Sequence, residues 1–241
     1  FNQWKSSDAL LSNLEKNQEL KSLIIQETPW LRDAQSETEQ KKRVALLFDL
    51  NKMNDELSSA LRKLKQMQMG NGGFPWFKGA RYANRYITQH IASGFGHLKK
   101  LNVTMTGDEG AMLQKAVRYL DNEILEDYRK LEKQAKRIRE SAKNKTEGAK
   151  KEAAFWKQNH TGHYQIQYLY MRSFYKDIDF NDNVKKAVDY YMKQAYEFWL
   201  DRNLYTKGMI ALIAKRNGKN VAGKILASLK ENAITNEELG M

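Results

Sequence analysis

The chain has 241 residues, two prolines, no cysteine, 41% hydrophobic residues, a mean hydropathy of −0.76 and a formal charge of +12. That length is ample for a buried core, as one large domain or two small ones. The missing cysteines exclude disulfides, thiolate metal sites and cysteine nucleophiles within this sequence, and no apolar run of about twenty residues offers a membrane-spanning helix.

A pI of about 9.6 raises nucleic acid or an anionic surface as partners. Much of the excess charge lies between Arg129 and Lys157, while elsewhere acids and bases interleave as on an ordinary solvated helix face. The opening Phe1-Asn2-Gln3-Trp4 has no initiator methionine and no signal-peptide apolar core, and reads as the edge of a longer chain.

In chain order, Ser6-Ser7-Asp8 before Leu10, Leu11 and Leu14 predicts a capped helix start, and a short segment around Leu20, Leu23 and Ile24 stops near Pro29. Trp4 and Trp30 are expected to plug the gaps around these pieces. Ser36 with Glu39 fits a capping box. Leu46, Leu50, Met53, Leu57, Leu61 and Leu64 then recur at three and four, a helical stripe that ends at Gly70.

Gly70-Asn71-Gly72-Gly73 and Pro75 break the helix. Phe74, Trp76 and Phe77 follow at once, and three large aromatics on a glycine corner are expected to anchor it by burial. The next helix carries Tyr82, Tyr86, Ile87, Ile91, Phe95 and Leu98 over a broad face kept slim by Ala83, Ala92, Gly94 and Gly96, so it is expected to be deeply buried.

Thr106-Gly107-Asp108-Glu109 starts another helix, with Leu113, Val117, Leu120, Ile124, Tyr128 and Leu131 as its stripe. Beyond Leu131 charge dominates, which predicts a projecting, solvated helix and loop through about residue 157. Tyr164 to Tyr175 is nearly all apolar, an inner helix. Asn181-Asp182 caps the next, and Leu204–Arg216 and Val221–Glu231 form two short helices joined at Asn217-Gly218. No credible strand pattern appears. Broadly apolar helices alternating with amphipathic ones favour an all-α double ring, the α/α toroid, over a simple bundle.

Three stretches carry a family likeness. They are Gln68-Met69-Gly70-Asn71-Gly72-Gly73-Phe74-Pro75-Trp76-Phe77 with Tyr86-Ile87-Thr88 and Gly94-Phe95-Gly96-His97-Leu98; Tyr164 to Tyr170; and Tyr205 to Leu212 through Ala227 to Ala233, closing on Leu239-Gly240-Met241. Together they resemble the thioester-containing, complement-like domain of bacterial alpha-2-macroglobulins over about half of the chain. The glycine-aromatic corner alone is less specific, since other α/α toroids such as terpene cyclases use one.

The resemblance implies a periplasmic, lipoprotein-anchored or secreted protease trap. In such a trap, cleavage of a bait segment rearranges the molecule and a Cys-Gly-Glu-Gln-type thioester can bind the protease. This sequence departs from that pattern because it has no cysteine. The expectation is therefore a non-catalytic module, residues 1–241 as one incomplete toroid, lacking the helix that would carry a thioester. Its implied partners are other domains of the parent chain and, through them, target proteases. Nucleic acid and a membrane span are not expected.

Candidate chemistry is thin. His160 and His163, at i,i+3, could share a metal, but no third ligand stands at helical spacing beside them. His90 suits a hydrogen-bonded core position better than a cavity wall, and His97 suits a helix end. Asp177 with Asp179, or Glu237 with Glu238, lie in loops or tails rather than on apolar inner helices, where a toroid glycoside hydrolase would need them. Tyr164, Tyr168 and Tyr175 read as core rather than sugar platform. The Arg129–Lys157 run lacks interleaved aromatics until Phe155-Trp156, as a nucleic-acid site would not. No catalytic residue, cofactor or metal is assigned. A toroid enzyme or a basic scaffold for nucleic acid stands as the alternative.

Overall fold

The computed structural model describes residues 50–103, 107–231 and 233, with side chains from residue 55 onward. The expected helix starts at Ser6–Asp8 and Ser36–Glu39, the rings of Trp4 and Trp30, Glu237 with Glu238, and the tail after Thr235 lie outside these residues. The described residues form eight α-helices and no strand: α1 (Leu50–Met67), α2 (Arg85–Lys100), α3 (Asp108–Glu140), α4 (Lys145–Trp156), α5 (His163–Arg172), α6 (Asp182–Glu197), α7 (Leu204–Arg216) and α8 (Val221–Glu231). The all-α class holds. The chain divides between Gln66 and Met67 into two compact units. Apart from its last residue α1 belongs to the first; everything that follows concerns the second.

Asparagines set the helix starts. Asn84, Asn144, Asn181 and Asn203 each have an extended backbone and accept the N–H three residues on, at 2.8 to 3.0 Å, so four otherwise orphaned donors are satisfied. Asn181 matches the expected cap. The turn after α7 falls at Asn217-Gly218 as expected, with Gly218 at φ +64°.

The second unit is built of helical hairpins. Arg85 at the start of α2 pairs with Asp127 well along α3, while Lys99 at its end lies beside Gly110 and Leu113, so α2 and α3 run antiparallel. His160, just before α5, meets Tyr190 and Gln194 late in α6, whereas Arg172 at the end of α5 lies over Phe180 just before α6. That pair is antiparallel too. Residues α2 and α5 share at both ends, Gln89 with Gln167 and His97 with Tyr170, make those two helices parallel. By the same reasoning His163 with Tyr205 and Arg216 with Phe174 make α5 and α7 parallel. α8 folds back on α7.

The core lies where these helices meet. Leu120 and Ile124 of α3, Ile166, Tyr168, Leu169 and Met171 of α5, Tyr191 of α6, and Ile210 and Ile213 of α7 are all buried. The expected stripe of α3 is the buried one from Leu113 to Tyr128, with Leu131 half-buried. Small residues act at particular points. A side chain at Gly96 would come within 2.6 Å of the Phe174 ring, so glycine lets α2 and α5 approach; Gly94 faces open space.

Two expectations are corrected. α2 is not deeply buried all round: Phe95 and Ala92 are inside, Ile91 is half-buried, and Tyr82, Tyr86 and Leu98 are exposed. Its apolar face meets α3 and α5 on one side only. The segment beyond Leu131 is helical and solvated as expected, but its second half is a helix rather than a loop. α3 runs on to Glu140, turns through Ser141–Asn144 and returns as α4. Gly148 lets the two helices close up, since a Cβ there would stand 2.5 Å from the Arg139 carbonyl oxygen. Phe155 and Ala135 are buried, while most of the charged side chains are exposed, as the sequence indicated.

Candidate functional site

The glycine corner is tightly pinned. The Met69 N–H donates to Gly73 O at 2.9 Å and the Gly72 N–H to Met69 O at 2.8 Å. Gln68 Nε2 donates to Gly72 O and to Met112 O of α3. Gly72 has φ +90°, and a Cβ there would lie 2.4 Å from Lys115 O, so both conformation and space demand glycine. Phe74 is buried, its N–H donating to Thr88 Oγ1 at 2.8 Å and its carbonyl accepting from Asn84 N at 2.7 Å.

The corner has one plug, not three. Trp76 and Phe77 are 61% and 62% exposed. After Phe74 is clamped, Pro75 carries the chain outward, so the next two rings face away from the core. Trp76 lies 6.3 Å from Tyr86, which lies 6.3 Å from His90, three rings in a row along the start of α2.

Two polar clusters brace α3, the first buried and the second part-buried. In the first, Arg172 Nε donates to Asp121 Oδ1 at 3.0 Å and Tyr168 OH donates to the same oxygen at 2.6 Å. Arg172 also bonds the carbonyls of Tyr175 and Ile178 and stacks 3.9 Å from the Phe180 ring centre. Burial raises the Asp121 carboxyl above its ordinary range, with Arg172 and Tyr168 pulling it back, and it pushes the Tyr168 hydroxyl far up. In the second, Asp127 Oδ2 accepts from Arg85 Nη1 and Gln165 Nε2, both at 2.6 Å, and Gln89 Nε2 reaches Gln167 Oε1 and Tyr164 O. Every acid in these clusters is tied to a cation, which suits bracing and leaves no free pair for acid–base work.

The histidines divide. His160 Nδ1 meets Tyr190 OH at 2.6 Å and its ring packs 4.4 Å from Phe155; burial lowers its pKa. His163 is exposed beside Tyr164 and Tyr205. The two do not converge, and the described residues contain no cluster of three metal-ligating side chains. His90 is exposed rather than in the core, on the face of α2 turned away from α3 and α5, with Tyr86 stacked one turn before it. His97 is at the helix end as expected, against Tyr170 and Phe174.

Tyr168 and Tyr175 are core, whereas Tyr164 is half exposed at the open start of α5. Asp177 pairs with Lys99, whose hydrogen bond holds its carboxyl below the ordinary range, and Asp179 is exposed. An open cavity of about 510 Å³ lies beside that pair, among Lys99, Asn102, Leu113, Gln114 and Tyr175.

Sequence reasoning passed over the Asp121–Arg172 and Asp127–Arg85 clusters. The available signal was a charge set inside an apolar stripe, Asp121 next to Leu120 and Arg172 next to Met171. Comparison with family models, with curated proteins and with solved structures returns no match. No helix among the described residues is long and apolar enough to cross a membrane.

Proposed function

We propose that the chain is a non-catalytic, protein-docking module of an alpha-2-macroglobulin-like protease trap of bacterial type, a sector of an α/α toroid. The reading rests on the resemblance of the glycine corner and the stretches beyond it to that family's thioester domain. The observation that supports it best is the corner itself. Gly72 and Gly73 are required by contacts with α3, and Phe74 is locked by Thr88 and Asn84, so the centre of the stretch that carries the likeness is closely constrained by packing. Hairpins set side by side, with α2, α5 and α7 parallel, suit a toroid's inner ring, and α3, α6 and α8 would form its outer ring.

Without cysteine the module cannot form the thioester, so its contribution to a trap is steric and structural, exercised through neighbouring domains in an extracytoplasmic protein. The test is protease activity in four samples: protease alone, protease with the isolated chain, protease with the full-length parent, and protease with the parent lacking this segment. The expected result is no hydrolysis or inhibition by the isolated chain, and trapping by the parent that is lost on deleting the segment. Strong inhibition by the isolated chain, or peptide hydrolysis by it, would overturn the reading.

A further inference from the structure

We infer that the end of the second unit where α2, α5 and α7 begin is a docking surface for an acidic, aromatic-bearing polypeptide. The parallel course of the three helices brings their first turns together. Gln89 reaches Tyr164 O and the Arg85 guanidinium lies 5.6 Å from the Tyr164 ring, while His163 lies 6.5 Å from Tyr205.

Large apolar side chains are exposed there in unusual density: Trp76 61%, Phe77 62%, Tyr82 82%, Tyr86 37%, Tyr164 48% and Tyr205 67%. Scattered exposed rings need no explanation, but a contiguous group of them marks an interaction site. Tyrosine, tryptophan and phenylalanine with arginine between them is the composition of protein interface cores and of their energetic hot spots. Arg81 stands exposed in the loop, and Arg85, mostly buried, keeps its Nη2 without a hydrogen-bond partner.

Charge selects the partner. No Asp or Glu occurs between Glu56 and Asp108, while Lys78, Arg81 and Arg85 fall in this loop and first turn. The first turns of α2, α5 and α7 carry no acid, whereas those of α3, α4 and α6 carry Asp108 with Glu109, Glu147 and Asp182. Asp127 of α3 reaches this end and pairs with Arg85, which leaves the exposed Lys78 and Arg81, together with three helix N-termini that carry no acid of their own, as the positive groups facing out. A partner surface bearing Asp and Glu around one or two aromatic or aliphatic anchors complements both features. The inference stands independently of the protease-trap reading.

The test selects a displayed random dodecapeptide library on the immobilised chain and measures the winners, as free synthetic peptides, by fluorescence anisotropy. The expected winners are rich in Asp and Glu with an aromatic or leucine anchor. Their affinity should fall about tenfold or more in the Trp76→Ala/Tyr86→Ala variant and in Arg81→Glu. Hydrogen-exchange protection on binding should centre on residues 74–90, 163–164 and 204–207. All three substitutions are at exposed positions, and unchanged unfolding midpoints would confirm that they leave the fold intact. The inference is overturned by no enrichment, by winners without acidic residues, by affinity within about twofold in both variants, by tighter binding of oligo-dT or of a cello-oligosaccharide at these rings, or by sedimentation showing that the face is closed by a second copy.

Discussion

Arg172→Met tests the buried brace most directly. The substitution keeps length and apolar volume but removes the charge, leaving Asp121 buried without its cation and the Tyr175 and Ile178 carbonyls without their donor. The side chains of Arg172 and Asp121 are only 3% and 8% exposed, so water cannot stand in for the lost partner. Breaking one half of a buried pair costs about 3–5 kcal/mol. With a urea slope of about 2–3 kcal/mol/M, a loss of that size lowers the unfolding midpoint by roughly 1–2.5 M. Burial already raises the Asp121 carboxyl, and removing Arg172 raises it further. A raised carboxyl binds its proton more tightly in the folded state. The protonated carboxyl's contribution in the variant is therefore fully present below the unfolded value of about 3.9 and is lost as pH rises through the folded one, so the variant's deficit against the parent grows from pH 4.5 to pH 7. Asp121→Asn is the reciprocal test: it leaves the Arg172 guanidinium buried without its anion, and a guanidinium cannot shed its charge, so a loss of about 3–5 kcal/mol that changes little with pH is expected. Urea unfolding followed by circular dichroism at both pH values decides the matter. A loss under about 1 kcal/mol for Arg172→Met, or a deficit flat with pH, would refute the reasoning.

Gly72→Ala should destabilise by about 3 kcal/mol by the same assay, from a positive φ and a forced contact with the Lys115 carbonyl. Trp76→Ala should stay within about 0.5 kcal/mol, as for other exposed positions, and a loss of several kcal/mol would place the ring in the core after all. Burial lowers the pKa of His160, so its contribution is present above the unfolded value near 6.5 and is lost as pH falls through the depressed folded one. Thermal midpoints between pH 5 and 7.5 should therefore fall less steeply with acid in His160→Gln than in the parent. Lys133→Gln with Lys150→Gln should leave stability within about 0.5 kcal/mol, whereas Phe155→Ala in the same hairpin should cost about 3–5 kcal/mol.

Local chemistry made much of this fold legible. The boundaries of α7 and α8, the Asn181 cap and the stripe of α3 all follow from period and turn residues, because each is set by neighbours within four positions. α4 was hidden for a physical reason. Its sequence, Lys145 to Trp156, has no apolar stripe and is held by a close backbone approach at Gly148 and by Phe155. The outward turn of Trp76 and Phe77 was hidden because their fate depends on Thr88 and Asn84 clamping Phe74 first. The braces were hidden because Asp121 meets Arg172 and Asp127 meets Arg85 across sequence gaps of 51 and 42.

The 33 residues of α3 make a rod of about 50 Å, with no glycine or proline after Gly110 to let it bend. Its middle is bolted to α2 and α5 through Asp121 and Asp127, its next turn is tied to α6 by Glu132 with Lys186, and its last turns are an arm that carries α4, whose Trp156 packs on Tyr190 of α6. Such an arm has no joint. A weight hung on its tip near Ser141 turns the bolted middle as well, so a probe attached to Lys143 reads the orientation of the braces, and whatever grips the hairpin holds the core by a handle.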